Sequence, residues 1–142
     1  MATEPRFPVA ANHPIPAMLS VGNTAKDGTG TVVTLYTAGQ FAPVAGDSII
    51  YNIVIKPCQA NSAAGVVRFF LNNGSTNTTA TNNILLCEEV NPVVTVSETL
   101  TQGLIIVQGI VDRIIPTGYR IMASISVTPT NPLAVYAYGE DY

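Results

Sequence analysis

The chain has 142 residues, of which 47% are apolar and 11% are charged, and its net charge is −3. A chain of this length forms one domain with a sizeable core, and the shortage of charge excludes intrinsic disorder. Its six basic residues are scattered and no apolar run approaches the roughly 20 residues of a membrane span, so we expect neither a nucleic-acid nor a membrane partner.

Residues 1–30 differ from the rest of the chain. Their prolines, at positions 5, 8, 14 and 16, fix φ and remove backbone donors, so we expect no regular strand pairing here. The segment is too apolar for a free tail, because it includes Ile15, Met18, Leu19 and Val21. We therefore predict an extended N-terminal arm, 1–30, that lies on its own domain or on a neighbouring subunit and serves for attachment.

The rest of the chain, 31–142, is predicted to be a β-sandwich domain. Segments rich in Val, Ile, Thr and Tyr alternate with turn residues, which predicts about eight strands and leaves little room for a helix. The predicted strands are 31–37, 48–56, 65–72, 84–90, 93–99, 103–110, 119–128 and 133–139. Because Greek-key sandwiches are the commonest solution for such a set, we expect an all-β, antiparallel, jelly-roll-like sandwich.

The N-terminus and the cysteines bear on the compartment. Residues 1–9 have an acidic residue, two prolines and no apolar stretch, so they do not resemble a secretory signal. We expect the protein to stay in the cytoplasm where it is made, or to leave by a route without a signal peptide. In a reducing cytosol Cys58 and Cys87 are expected to be free and partly buried, with a bridge between them as the alternative.

The sequence offers few groups for chemistry. His13 is the single histidine and lies in the arm between Asn12 and Pro14, where no strand places it near a nucleophile. One histidine and two distant cysteines cannot form a zinc site. The acidic pairs 88–89 and 140–141 do not predict a calcium site, since strand neighbours point to opposite faces and the second pair is expected to be frayed. We therefore predict no enzyme, no catalytic residue, no metal and no cofactor, although nine acids leave a glycosidase formally open.

Two arginines are candidate interface residues because each interrupts an apolar strand. Arg68 and Arg113 either lie on an outward surface or form an ion pair with Glu88, Glu89 or Asp112 across a subunit boundary. The low charge and the aromatic end of the chain favour a surface that packs against copies of itself. The candidate interface residues are Ile15, Met18, Leu19, Val21, Arg68 and Arg113.

Three stretches resemble small proteins encoded in the structural gene clusters of tailed bacteriophages. They are IPAMLSVGNTAKDGTGTVVTLYTAG (15–39), RFFLNNGSTNTTATNNILLCEEV (68–90) and YGEDY (138–142). The resemblance implies a virion structural protein made in the host cytoplasm. Its best-known form is a capsid decoration (cement) protein, often a homotrimer, that binds the major capsid protein outside the head and stabilises the shell.

Two alternatives stay open. One is another virion part of the same fold class, namely a tail, baseplate or head-fibre module. The other is a carbohydrate-binding or glycan-cleaving module for host attachment, against which the absence of tryptophan argues.

Overall fold

The computed structural model describes residues 10–12, 16–40, 46–99 and 103–142. Over these ranges the chain has ten strands and one short 3₁₀ turn, Ala80–Asn82. The strands are β1 Ala10–Asn12, β2 Ala17–Leu19, β3 Val33–Thr37, β4 Ser48–Pro57, β5 Gly65–Asn72, β6 Asn83–Asn91, β7 Ile105–Ile106, β8 Arg113–Ile115, β9 Arg120–Ile125 and β10 Leu133–Asp141.

The strands form two antiparallel sheets that enclose one apolar core. In sheet A, β10 pairs with β4 at the centre, β1 and β2 pair with β10, and β7 and β8 pair with β4. Sheet B has the order β3-β9-β5-β6. Both sheets contribute to one buried cluster. The prediction of an all-β fold with antiparallel strands is confirmed.

The core of sheet A follows from the two-residue period of β4 and β10. Ile53 and Ile55 of β4 are fully buried, as are Leu133 and Val135 of β10. Because alternate residues of a strand point to one face, these side chains meet sheet B. Burying one such side chain stabilises the fold by about 1.5–3 kcal/mol. The pairing register shifts between Tyr138 and Gly139, which is typical of a β-bulge.

The described part of the arm packs on its own chain. β2 pairs with β10, Leu19 is only 3% exposed, and Gly22 forms a bridge with Ile125 of β9. The expectation that the prolines prevent pairing is therefore wrong for residues 17–19, and also for residues 10–12, since β1 pairs with β10 as well. Pro16 directly precedes β2, and proline is tolerated at the start of an edge strand, where its missing N–H leaves no gap in the ladder.

A segment after β2 lies against the outer face of sheet B. Phe70 and Met122 are paired in register and buried, yet they belong to no part of the core cluster between the sheets. Arg68 is buried as well, and its Nη1 donates to the carbonyl oxygen of Asn23 at 3.4 Å. The side-chain amides of Asn77, in the β5–β6 loop, and of Asn83, at the start of β6, donate to further carbonyls of this segment. Sheet B is therefore covered on both faces.

Of the predicted strands, one is absent and one is much shorter than expected. Residues 93–99 form no strand and make a single bridge between Val94 and Asn61. Val93 and Val96 are exposed there, so the apolar pattern has no buried face to stabilise it. Of 103–110, only β7 is a strand. β8 was not predicted and follows a turn at Asp112, which has a φ of 49°.

Asp141, at the end of β10, connects both sheets. Its carboxylate Oδ1 accepts hydrogen bonds from the Tyr36 hydroxyl at 2.8 Å, the Ser48 hydroxyl at 2.5 Å and the Gly39 N–H at 3.3 Å. Asp141 is fully buried. The prediction that this acidic pair is frayed is therefore wrong, and we call Asp141 with its three donors the Asp141 clasp.

Candidate interaction surface

The outer face of sheet A carries four of the six tyrosines of the chain. In β10 the core side chains alternate with Tyr136, Tyr138 and Glu140, which therefore point outward. Tyr51 of β4 hydrogen-bonds Glu140 across the sheet, and the pKa shift of Tyr51 includes a hydrogen bond with Tyr142. We call the surface formed by Tyr51, Tyr136, Tyr138 and Tyr142 the tyrosine face.

The two rings of β10 support each other edge to face. The centroids of Tyr136 and Tyr138 lie 5.4 Å apart and their planes are 80° to each other. Such pairs gain about 0.5–1.5 kcal/mol beyond the area they bury. Because the rings are perpendicular, they do not form one flat platform.

Two phenols of this face have a raised pKa. The Tyr51 hydroxyl donates to Glu140 Oε2 at 2.6 Å, and this hydrogen bond, with one to Tyr142, raises the pKa of Tyr51. Desolvation, followed by a hydrogen bond with Tyr138, also raises the pKa of Tyr136. Tyr51 and Tyr136 therefore offer hydroxyl groups without charge.

Aliphatic side chains extend the tyrosine face to the edges of sheet A. Register pairs Tyr136 with Val54 and Val54 with Ile106, and it pairs Ile49 with Ile114. Ile106 and Ile114 are 45% and 66% exposed. Beside Ile49 and Ile114, a pocket of about 160 Å³ is completed by Asp47, Ser48 and Tyr142. The combination of aromatic rings, aliphatic surface and few charges is typical of the buried part of a protein interface.

The candidate residues of the arm are not brought together. Ile15 lies outside the described residues. Leu19 packs in the core of its own chain, whereas Met18 and Val21 are 44% and 52% exposed. Met18 pairs in register with Ala134 of β10, next to the tyrosine face, so one of the four arm residues borders this surface.

The two arginines have different surroundings. Arg68 Nε donates to Glu88 Oε1 of the same chain at 2.7 Å, and the Arg68 side chain is 7% exposed. Arg113 is exposed at the start of β8, and its charge acts on the thiol of Cys87 in β6. Over the described ranges, Arg113 makes no ion pair within 4.0 Å.

The described residues contain no cluster of three or more metal-ligating side chains. His13 lies outside them. Both cysteines are free, as predicted. Cys87 is half-buried, but Cys58 is exposed, so the predicted partial burial is wrong for Cys58. Burial is the main cause that raises the pKa of Cys87 to about 11. In the same part of the chain, no helix has the length and apolar character needed to cross a membrane.

No protein-family model, no curated protein and no solved structure matches the chain.

The tyrosine face was not predicted as a unit. The sequence shows an aromatic C-terminal end, but Tyr51 lies 85 positions before Tyr136. The two residues are close only because β4 pairs with β10. The available signal was the spacing of Tyr136, Tyr138 and Glu140 at every second residue, which places them on one strand face.

Proposed function

We propose that this chain is a non-enzymatic structural subunit of a bacteriophage virion, most specifically a capsid decoration protein. In this role it binds the major capsid protein on the outside of the head, self-associates as a homotrimer and stabilises the shell. The resemblance of the stretches 15–39, 68–90 and 138–142 supports this role.

The strand order supports the finer fold proposal of a jelly roll. Sheet A contains β2-β10-β4-β7 and sheet B contains β3-β9-β5-β6. The chain therefore passes from one sheet to the other between β2 and β3, β3 and β4, β4 and β5, β6 and β7, β8 and β9, and β9 and β10. This is the connectivity expected of two Greek keys rolled together, an architecture found in viral capsid and lectin domains. The fold is an analogy and does not by itself assign a function.

The observation that carries the proposal is the tyrosine face. Tyrosine is enriched among the residues that dominate protein–protein affinity, because one ring supplies large apolar contact and a hydroxyl donor at low entropic cost. The register rows across this face contain Lys56 and Glu140 as their charged residues, and Glu140 is hydrogen-bonded to Tyr51. Docking on a shell therefore requires little desolvation of charge.

Glycan binding is the second candidate, and the same tyrosines favour it. Aromatic rings line many sugar sites, and the pocket beside Ile114 is lined by the acidic residue Asp47. The perpendicular arrangement of Tyr136 and Tyr138 fits a sugar ring less well than a flat platform would. We therefore place protein docking first and host attachment through a glycan second.

The test compares binding to virus heads with binding to tails. Tailed virus particles are dissociated, and their heads and tails are purified separately. The purified protein is added to each fraction, the fraction is pelleted, and the protein in the pellet is quantified. We expect saturable binding to heads, lost in the variant Tyr51→Ala/Tyr138→Ala and kept in the control Val127→Ser, which changes an exposed valine elsewhere. Binding to tails alone favours the tail or baseplate module. Binding to neither, together with tyrosine-dependent retention on a glycan array, favours the attachment module.

A further inference from the structure

The exposed apolar side chains are concentrated on one side of the molecule. In the described part of the chain, fourteen large hydrophobic residues are exposed, and nine of them lie on β6, β7, β8 or the connections between these strands. Two of the nine, Ile106 and Ile114, extend the tyrosine face, and the other seven form a separate surface. We call this the β6–β8 side. Six of its residues carry the argument: Ile84, Leu85, Val90, Leu104, Val111 and Arg113.

These strands lie on the same side of the two sheets. β6 is the edge of sheet B, whereas β7 and β8 pair with β4 at the edge of sheet A. Gly109, between β7 and β8, approaches β6 so closely that a Cβ atom there would lie 2.5 Å from the Cβ of Cys87. The β6–β8 side is therefore one continuous surface that spans both sheet edges.

The area of this surface exceeds what a monomer usually exposes. Val90 is 67% exposed and Ile84 is 60% exposed. Without Ile106 and Ile114, which extend the tyrosine face, the seven other apolar residues expose on the order of 700 Å², whereas the largest apolar patch of a typical monomer is about 300–600 Å². Each partner of a standard-size interface contributes roughly 800 Å², so this side has the area that a stable subunit contact needs.

The backbone and the charges of this side indicate what occupies it. In the described part of the chain, β6 pairs with β5 alone, so one edge of a nine-residue strand is open to another strand. Glu88 is neutralised by Arg68 at 2.7 Å. One cation, Arg113, and three acids, Glu89, Glu98 and Asp112, remain on this side without an ion pair within 4.0 Å among the described residues. A surface with both charge signs complements a copy of itself.

We infer that the β6–β8 side is the contact through which one copy of this chain binds the next, with Arg113 of one copy paired to Glu89 or Asp112 of its neighbour. This inference rests on the proposed self-association and adds the surface that performs it. The tyrosine face is then left for the shell, so that a subunit uses different surfaces for its own copies and for the capsid.

The experiment measures the mass of the full chain in solution by sedimentation equilibrium. The monomer is 14.9 kDa, and we expect an oligomer, a mass of about 45 kDa identifying the proposed trimer of three such chains. Val90→Lys and Arg113→Glu should each weaken association at least tenfold, and the control Val127→Lys should leave the mass unchanged. All variants are first compared with wild type by circular dichroism, and Val90→Ser replaces Val90→Lys if the latter does not fold.

The outcomes separate the inference from the proposed function. A wild type that stays monomeric at 100 µM, or an oligomer unaffected by both Val90→Lys and Arg113→Glu, overturns the inference. Restored association on adding Glu89→Arg or Asp112→Arg to Arg113→Glu assigns the ion pair, and failure of both overturns that pairing. If Val90→Lys dissociates the oligomer but the protein binds neither heads nor tails, the inference stands and the virion role fails.

Discussion

Replacing Asp141 tests the strongest polar contact of the core. Asp141→Ala removes the acceptor of two hydroxyl groups, those of Tyr36 and Ser48, and of one backbone N–H. A hydrogen bond to a charged group contributes about 1.5–3 kcal/mol, and a buried donor left without a partner costs about 1–3 kcal/mol. Because the three donors share one oxygen, their contributions are not additive, and we expect a loss of about 3–5 kcal/mol in the free energy of unfolding.

Two further variants separate charge from shape. Asp141→Asn retains an oxygen at the position of Oδ1 and removes the charge, so we expect a loss of about 1–2 kcal/mol. Glu140→Gln is the matched control, because it also replaces a carboxyl group by an amide. Glu140 directly precedes Asp141, and its hydrogen bond to Tyr51 is exposed. This control should change the free energy of unfolding by less than about 0.5 kcal/mol.

The measurement is urea unfolding followed by far-UV circular dichroism and by tyrosine fluorescence, since the chain has no tryptophan. An unchanged slope m shows that the variants unfold the same structure. The reasoning is refuted if Asp141→Ala stays within 1 kcal/mol of wild type at unchanged m. If Asp141→Ala does not fold, an Asp141→Asn variant as stable as Glu140→Gln refutes it equally.

Three further predictions concern close packing, thiol reactivity and the arm. Gly139→Ala should lower the free energy of unfolding by about 1–3 kcal/mol, because the new Cβ would lie 2.6 Å from the Ile49 carbonyl oxygen. The control Gly103→Ala, whose Cβ would meet no atom within 4 Å, should leave stability unchanged. Equal urea midpoints for the two variants would contradict this reasoning. At pH 8 a thiol-reactive disulfide should label the exposed Cys58 quickly and Cys87 slowly, because a pKa raised to about 11 leaves Cys87 protonated until the pH approaches that value. The two labelling rates are measured by mass spectrometry of the labelled peptides. Equal rates would show that burial does not control the reactivity of the Cys87 thiol. A chain that begins at residue 31 should melt at a lower temperature or aggregate, because it loses β2 from β10 and uncovers Phe70 and Met122; an unchanged melting temperature would show that the arm adds nothing to its own domain.

The long buried strands were predictable from the sequence because burial on at least one face gives them a two-residue period. β4, β5 and β10 follow from the alternation of Ile, Val, Phe and Tyr, and their bounds lie within two residues of the prediction. The short strands were not predictable to the same extent. β2 and β8 have three residues each, which is too few for a period to be recognised.

The candidate surfaces depend on long-range pairing, which local patterns do not reveal. Arg68 and Arg113 look alike in sequence, since each interrupts an apolar strand. Their surroundings differ because Arg68 lies on a central strand covered by the segment around Asn23, whereas Arg113 lies on an edge. The tyrosine face likewise exists only because β4 and β10 are neighbours.

The position of β10 in sheet A has a consequence for biosynthesis. β10 lies between β4 on one side and β1 and β2 on the other, so the first described strands have no partner in their sheet until residues 133–141 have left the ribosome. Contacts between such distant parts of a chain form slowly. During translation the apolar β4 and the edge of β2 are therefore exposed together, which makes the nascent chain prone to aggregation. We expect a chaperone-sensitive folding step that requires the synthesis of β10, and slower translation of the preceding strands should not improve the yield of folded protein.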